Sequence, residues 1–155
     1  MSAEARLLAL LAPLEAPVLS HRAITSAADA AEVRGTPLAQ GGKALVMKLG
    51  KTFGIVAVGG DGRLAGKAVR RGLGVQRYRF ATRDELTELT GLAPGMVPPF
   101  GAPVFELPLY VDAALAQQEA IAFTLARADR SMVLPMATYL DIAAPTAVLP
   151  LTEMP

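Results

Sequence analysis

The chain has 155 residues, of which 52% are hydrophobic and 19% are charged, a composition typical of a folded domain and not of a disordered chain. It holds no cysteine and a single histidine, His21, so a disulfide framework and a Cys/His zinc site are excluded. No apolar run reaches the roughly 20 residues that a membrane span needs, and the N-terminus lacks the pattern of a signal peptide. We therefore expect one domain over residues 1–155, in a cytoplasmic protein that does not bind a membrane.

Capping residues and glycine turns divide the first part of the chain into short elements. Ser26 followed by Asp29 indicates a helix start, and Gly35 indicates the end of that helix. Thr82 and Glu85 indicate a second start of the same kind. In chain order the predicted elements are helix Ala3–Leu11, strand Val18–Arg22, helix Ala27–Arg34, a hairpin of strands Ala44–Leu49 and Thr52–Val58, helix Leu64–Arg71 ended by Gly72, strand Arg77–Phe80 and helix Asp84–Thr90.

A loop rich in turn residues, Ala93–Pro103, opens the second part of the chain, with four prolines and two glycines. Because hairpins occur together with separate helices, the order favours an α+β fold with a largely antiparallel or mixed sheet. The predicted elements after the loop are strand Val104–Val111, helix Ala113–Gln117, strands Ala120–Leu125 and Met132–Leu134, helix Met136–Ile142 and a proline-rich tail.

Positive charge is concentrated in one segment, although the net charge is only +1. Seven basic residues and no acidic ones lie between positions 63 and 83, namely Arg63, Lys67, Arg70, Arg71, Arg77, Arg79 and Arg83. Such a run is either a solvated face or a stripe that binds phosphates, since a few Lys/Arg–phosphate contacts give substantial affinity for nucleic acid.

Side chains for acid–base or nucleophilic catalysis are scarce. Any Ser–His pair would have to use His21, which lies in a predicted strand, and no Gly-x-Ser-x-Gly turn is present. The acidic residues form no close pair of the kind that metal or glycosidase sites use, and no dinucleotide or Walker motif occurs. We expect neither a metal nor a cofactor.

Backbone groups and one lysine are the remaining candidates. The segment Gly95–Gly101 is fixed by Pro98-Pro99 and allowed close approach by its two glycines, so its N–H groups could be aimed at a carbonyl oxygen. Lys43 follows two glycines and precedes an apolar strand, where its ammonium could hold a phosphate or a carbonyl. Taken singly, each feature is more often structural, the loop as a surface turn and Lys43 as a strand-end lysine that reaches water.

Taken together, these segments resemble the YbaK/prolyl-tRNA editing deacylase family, relatives of the editing insertion of bacterial prolyl-tRNA synthetases. The resemblance covers residues 15–142 and depends on the order and spacing of its segments. They are Ser26–Gly35, the Gly-Lys-Ala-Leu-Val-Met-Lys run of Gly42–Lys48, Arg63–Lys67, Ala81–Gly91, the Gly-Met-Val-Pro-Pro-Phe-Gly loop of Gly95–Gly101, and Val111-Asp112.

The resemblance implies a freestanding hydrolase that removes a small wrong amino acid from a tRNA, and tRNA-Pro is the tRNA expected. Lys43 and Gly95 take the catalytic positions, and the substrate's own ribose hydroxyl assists the attack of water. The implied substrate contacts are Leu45, Met96, Val97, Pro98, Pro99, Phe100, Gly101 and Asp112, and the implied contacts to tRNA phosphates are Lys67, Arg70 and Arg71. The implied partners are mischarged tRNA and prolyl-tRNA synthetase, not DNA.

One segment departs from the family pattern. Many members carry a Gly-Ser-His-type segment before the last strand, whose histidine helps to select the amino acid, whereas Ala126–Ser131 contains no histidine. Alanine, cysteine or another small amino acid therefore all stay open as the group removed. A second interpretation also stays open, in which the same fold binds a tRNA end or a nucleotide-like ligand without catalysis.

Overall fold

The computed structural model describes residues 1–153, which fold into six α-helices and eight β-strands. The helices are α1 Ala3–Leu11, α2 Ala27–Arg34, α3 Gly66–Leu73, α4 Arg83–Thr90, α5 Ala113–Ala116 and α6 Met136–Ala143. The strands are β1 Leu19–Ser20, β2 Gly42–Leu49, β3 Thr52–Gly59, β4 Tyr78–Phe80, β5 Leu109–Asp112, β6 Ala120–Thr124, β7 Arg130–Pro135 and β8 Ala147–Leu149. None of these helices, over residues 1–153, is long and apolar enough to cross a membrane.

The strands form two sheets. A mixed five-stranded sheet has the order β4-β2-β3-β5-β8, with β3, β5 and β8 parallel to one another and β2 antiparallel to both of its neighbours. An antiparallel three-stranded sheet has the order β1-β7-β6. A single parallel bridge between Gly41 and Ala122 joins the two sheets where β2 begins. The predicted α+β class with mixed and antiparallel pairing is confirmed.

Two apolar clusters stabilise this arrangement. The larger one packs α1, α5 and α6 with residues of both sheets. Within it the ring centroid of Phe100 lies 5.2 Å from that of Phe123 and 5.4 Å from that of Tyr139, both in edge-to-face geometry. The smaller one lies on the opposite face of β2 and β3, under α3. Alternation along β2 therefore sends Val46 to one cluster and Met47 to the other.

The helices predicted from capping residues lie where they were expected. Helix α2 begins after Ser26, whose hydroxyl accepts a hydrogen bond from the Asp29 amide at 3.0 Å, and ends at Gly35. Helix α4 has a complete capping box: the Glu85 amide donates to the Thr82 hydroxyl at 3.1 Å, and the Thr82 amide donates to the Glu85 carboxylate at 2.8 Å.

Three predicted elements need correction. Helix α3 begins two residues later than predicted because Leu64 forms a bridge to Thr152, and it continues through Gly72, which packs against Leu151, to end at Gly74. Strand β5 begins at Leu109 and not at Val104, because the amides of Val104 and Phe105 turn back to the carbonyl of Gly101. The proline-rich tail contains β8, which pairs in parallel with β5.

Candidate functional site

A cavity of about 350 Å³ lies where the start of β2 passes α2 and the loop before Val97. We call it the Lys43 cavity. Its lining has two basic and three hydroxyl-bearing side chains and contains neither aspartate nor glutamate; the residues are Ile24, Thr25, Ser26, Ala27, Ala30, Arg34, Gly41, Gly42, Lys43, Ala44, Leu45, Gly60, Pro94, Gly95, Met96, Val97 and Thr124. A donor-rich lining of this kind suits a ligand with oxygen acceptors and negative charge.

Lys43 lies at the start of β2, paired with Val58 of β3, and is half-buried. The glycine before it is required by packing, because a Cβ on Gly42 would lie only 2.6 Å from the Ile121 side chain. No carboxylate within residues 1–153 forms an ion pair with Lys43. The lysine is therefore held in the cavity wall by its backbone, with its charge not neutralised by an acid.

The opposite wall is the first part of the proline-rich loop. Gly95 has a φ of +84°, and the next amide, that of Met96, donates to the carbonyl of Ala93 at 3.1 Å. The amides of Gly95 and Val97 donate to no backbone carbonyl in the part of the chain that the structure describes. Two residues that line the cavity thus have backbone donors without a backbone acceptor, which a ligand oxygen could satisfy.

The second part of the same loop lies behind this wall. Pro98, Pro99, Phe100 and Gly101 are buried and do not line the Lys43 cavity. The Pro99 carbonyl accepts a hydrogen bond from the Tyr139 hydroxyl at 2.6 Å, and Phe100 is fully buried. The structure therefore brings Lys43, Leu45, Gly95, Met96 and Val97 together and places the remaining loop residues in the core, where they hold the loop.

Asp112, also predicted as a substrate contact, lies away from this cavity and is 1% exposed. Its carboxylate accepts hydrogen bonds from the Leu151 amide at 2.8 Å, the Thr152 amide at 3.2 Å and the Thr152 hydroxyl at 2.8 Å. The aspartate thus ties the segment after β8 to the end of β5.

The basic residues predicted to contact phosphates lie on α3. Lys67, Arg70 and Arg71 are exposed, and the Arg70 guanidinium lies 5.9 Å from the centre of the Tyr78 ring. Arg70 also lines a second, open cavity of about 770 Å³, whose residues are Lys48, Gly50, Arg70, Gln76, Arg77, Tyr78 and Arg79. The basic segment of the sequence therefore lies largely on α3 and around β4, where Arg79 forms an ion pair with Glu85 at 2.7 Å.

Arg34 is a cavity residue that the sequence reasoning missed. Its Nε donates to the Ser131 hydroxyl at 2.9 Å, and burial lowers the pKa of its guanidinium. Ser131 also contacts Nε2 of His21 at 2.8 Å, across the pairing of β1 with β7. The only signal in the sequence was the position of Arg34 at the end of the Ser26–Gly35 segment; the partner lies 97 residues away.

Within residues 1–153, no cluster of three or more His, Asp or Glu side chains is arranged to hold a metal ion. The residues that line the Lys43 cavity carry two cations, three hydroxyls and two loop amides without a backbone acceptor; of the hydroxyls, that of Ser26 caps α2 and that of Thr25 donates to Asp29. These groups can orient an ester and stabilise negative charge on its oxygen, but they include no carboxylate or imidazole to take a proton from water.

Comparisons with known proteins match a family, a relative and solved structures over most or all of the chain. Residues 21–142 match the model of the aminoacyl-tRNA editing domain family. The Multifunctional Ser/Thr-tRNA deacylase ProXp-y of Escherichia coli (strain K12) is 35% identical over 150 residues, which cover 92% of this chain and 89% of that protein. A crystal structure of a candidate trans-editing enzyme for prolyl tRNA synthetase superimposes with a TM-score of 0.83 and 26% identity, covering 99% of both chains. A scaffold protein from work on computational epitope backbone grafting shares the fold, with a TM-score of 0.83 and 23% identity over 100% of this chain and 99% of that one.

Proposed function

The chain belongs to the aminoacyl-tRNA editing domain family, and from this premise we propose how it acts as an aminoacyl-tRNA deacylase, a hydrolase of the ester that joins an amino acid to tRNA. The family match confirms the resemblance seen in the sequence segments. The observation that carries the proposal is the meeting of Lys43 and the Gly95–Val97 amides in one cavity without an acidic side chain.

The chemistry follows from what the cavity offers. The Gly95 and Val97 amides bind the ester carbonyl oxygen, where negative charge develops as water adds to the carbonyl carbon. Lys43 positions the ester beside them as a cation and not as a nucleophile. Preorganised donors of this kind lower the barrier because they need no rearrangement during the reaction.

The proton transfers are assigned to the substrate. The free vicinal hydroxyl of the terminal ribose accepts a proton from the attacking water and passes its own proton to the departing ribose oxygen. The bond between the carbonyl carbon and that oxygen breaks, which leaves a free amino acid and a tRNA with both ribose hydroxyls. This route requires no side-chain base, in agreement with the composition of the lining.

The amino acid removed is proposed to be small. Ala27, Ala30 and Ala44 leave room in the cavity. The Thr124 hydroxyl offers hydrogen bonds to a polar side chain, and the Thr25 hydroxyl, which donates to Asp29 at 3.1 Å, can accept one. Because the E. coli relative is named for Ser- and Thr-tRNA, we place seryl and threonyl esters first, ahead of alanyl and cysteinyl ones. A site built to hydrogen-bond a hydroxyl rejects an analogue without it more strongly than a site that selects by size.

We propose that the acceptor end reaches the cavity along the basic surface of α3, with phosphates on Lys67, Arg70 and Arg71. This surface has no acidic residue between positions 63 and 83, and lysine and arginine contacts to phosphate give sequence-independent affinity. The similarity to a candidate trans-editing enzyme for prolyl tRNA synthetase supports tRNA-Pro and that synthetase as partners. Both are cytoplasmic, and the deacylase is placed there with them.

Replacement of Lys43 tests the proposal. Lys43→Ala is expected to lower kcat/KM for deacylation of Ser-tRNA and Thr-tRNA by roughly ten- to a hundred-fold, the usual effect of losing a positioning group. Lys51→Ala is the matched control, because Lys51 is an exposed lysine at the other end of the β2–β3 hairpin. Both variants should keep the melting temperature of the original protein.

Two results would contradict this function. Equal deacylation activity of the Lys43→Ala and Lys51→Ala proteins would show that Lys43 takes no part in the reaction. Salt-dependent tRNA binding without release of amino acid from Ser-, Thr-, Ala- or Cys-tRNA would favour the second interpretation, a binding module without catalysis.

A further inference from the structure

Arg34 is a partly desolvated cation with no acidic partner in residues 1–153. It lies in the last turn of α2 and lines the Lys43 cavity. Removing a charge from water costs free energy unless another charge or several hydrogen bonds offset the loss. A guanidinium in this position is therefore expected to have its partner in a ligand and not in the protein.

The part of Arg34 that faces away from Ser131 is free to bind. Its Nε donates to the buried Ser131 hydroxyl at 2.9 Å, and neither Nη1 nor Nη2 donates to any atom of residues 1–153. Nη1 lies 3.9 Å from the position that a Cβ on Gly41 would occupy, so it reaches the backbone just before β2. Two Nη groups side by side offer parallel donors, the geometry that matches two oxygens of one anion.

His21 determines how Ser131 holds Arg34. Nδ1 of His21 lies 2.7 Å from the Arg22 carbonyl, which can only accept, so Nδ1 carries the hydrogen. In the neutral ring Nε2 is then an acceptor, and it receives the Ser131 hydrogen at 2.8 Å. The Ser131 oxygen consequently turns its lone pairs toward Arg34, and the three residues form a directed chain of hydrogen bonds that fixes the guanidinium.

We propose that Arg34 is a phosphate-binding residue of the Lys43 cavity, whose two Nη groups bind two oxygens of the 5′-phosphate of the terminal adenosine. Ser131 and His21 are its positioning residues. The inference rests on the proposed function for the identity of the nucleotide, but the phosphate contact itself depends only on this arrangement. The ester oxygen has its donors in the two loop amides, whereas the guanidinium fork matches two oxygens of a second, anionic group.

Equilibrium binding of adenosine 5′-monophosphate and adenosine tests the contact without catalysis. The original protein should bind the monophosphate roughly ten- to a hundred-fold more tightly than adenosine, the range expected for charge-assisted hydrogen bonds. Arg34→Met should abolish this preference, and Arg34→Lys should restore only part of it. Arg127→Met is the matched control, an exposed arginine outside the cavity lining, and it should keep the preference.

The positioning role is tested by a double-mutant cycle. Ser131→Ala and His21→Ala should each reduce the preference for the monophosphate, and neither should reduce it further once Arg34 is methionine. His21→Gln, which offers an acceptor near the place of Nε2, should recover part of the loss. Additive effects of Ser131→Ala and Arg34→Met would overturn the chain of hydrogen bonds.

Turnover separates this inference from the proposed function. Seryl esters of adenosine with and without a 5′-phosphate are compared: Arg34→Met should raise KM only for the phosphorylated ester. An equal loss of kcat on both esters, or an intact preference for the monophosphate in Arg34→Met, would overturn the phosphate site. If the protein hydrolyses no aminoacyl-tRNA but shows an Arg34-dependent preference for the monophosphate, the proposed function fails and the phosphate site stands.

Discussion

Gly95 and Gly91 share a backbone conformation, and only Gly95 lines the Lys43 cavity. Their φ angles are +84° and +73°, and a Cβ on either would meet nothing within 4 Å. Alanine at either position should therefore cost about 1 kcal/mol of stability through the left-handed backbone alone. Gly95→Ala should in addition lower deacylation several-fold, because its amide is one of the proposed donors to the ester oxygen.

Urea unfolding and deacylation rates of the two variants measure these effects separately. Gly91→Ala introduces the same backbone strain outside the cavity. Its deacylation rate therefore shows how much of the loss in Gly95→Ala comes from lower stability alone. Equal activity of the two variants at equal stability would show that the Gly95 amide does not take part.

The Tyr139 hydroxyl supports the loop from inside the core. It donates to the Pro99 carbonyl at 2.6 Å, and the side chain is 0% exposed. Tyr139→Phe leaves this buried carbonyl without a partner, which should cost about 1–3 kcal/mol in the free energy of unfolding. Tyr110→Phe is the control, since the Tyr110 hydroxyl has no hydrogen bond within residues 1–153; a loss of equal size there would contradict the assignment.

At this scale the sequence indicated part of the site for a physical reason. Lys43 and Gly95 lie in segments whose patterns are local in the chain, and the order and spacing of such segments is what carried the resemblance. Arg34 could not be found in this way, because its role depends on Ser131 and His21, which only the packing of β1, β7 and α2 brings near it. The place of Asp112 could not be predicted for the same reason, since its hydrogen-bond partners lie in the segment after β8.

Among the elements, α4 makes stability depend on pH. The Arg79 guanidinium and the Thr82 amide lower the pKa of Glu85 from 4.5 to about 2. A depressed pKa means that the stabilisation is present above pH 4.5 and disappears as the pH falls from 4.5 toward 2. Glu85→Gln should therefore be less stable than the original protein at neutral pH, and most of this difference should be lost as the pH approaches 2.

Thermal unfolding between pH 2 and pH 7 measures this difference. Glu88→Gln is the control, an exposed glutamate of the same helix that makes no ion pair in the described part of the chain. A stability difference between Glu85→Gln and the original protein that was as large at pH 2 as at pH 7 would contradict a role of the ionised carboxylate.

Capping chemistry explains which elements could be predicted. Helices α2 and α4 have both a capping side chain and a terminal glycine, so their bounds follow from local hydrogen bonds. Helix α3 has no capping side chain. It continues past Gly72, which packs against Leu151, and ends at Gly74. Strand β8 exists through its pairing with β5, which no local pattern reveals.

For the molecule as a whole, the basic surface should govern affinity for tRNA. Each phosphate contact contributes about −0.9 to the slope of log binding constant against log salt concentration. Arg70→Met and Arg71→Met should each weaken binding and reduce this slope by about 1. Arg127→Met, on another part of the surface, should leave the slope unchanged, and an unchanged slope in the α3 variants would rule out these contacts.

The division into two sheets is the feature of the whole fold that sequence patterns did not give. Alternation predicted strands and their mixed pairing, but the choice of neighbours depends on contacts distant in the chain. The Gly41–Ala122 bridge is an example, because it joins the sheets at the edge of the cavity through backbone atoms alone.

The close approach of Gly42 to Ile121 limits which substitutions can reshape the Lys43 cavity. A Cβ at position 42 would lie 2.6 Å from the end of the buried Ile121 side chain, so that side chain or β2 itself, next to Lys43, would have to shift. The alanines of α2, by contrast, line the cavity from a separate element, where added atoms change the room for the amino acid and leave the lysine in place. Substitutions on α2 are therefore expected to change which amino acid fits the cavity, whereas a substitution of Gly42 is expected to disturb the packing beside Lys43.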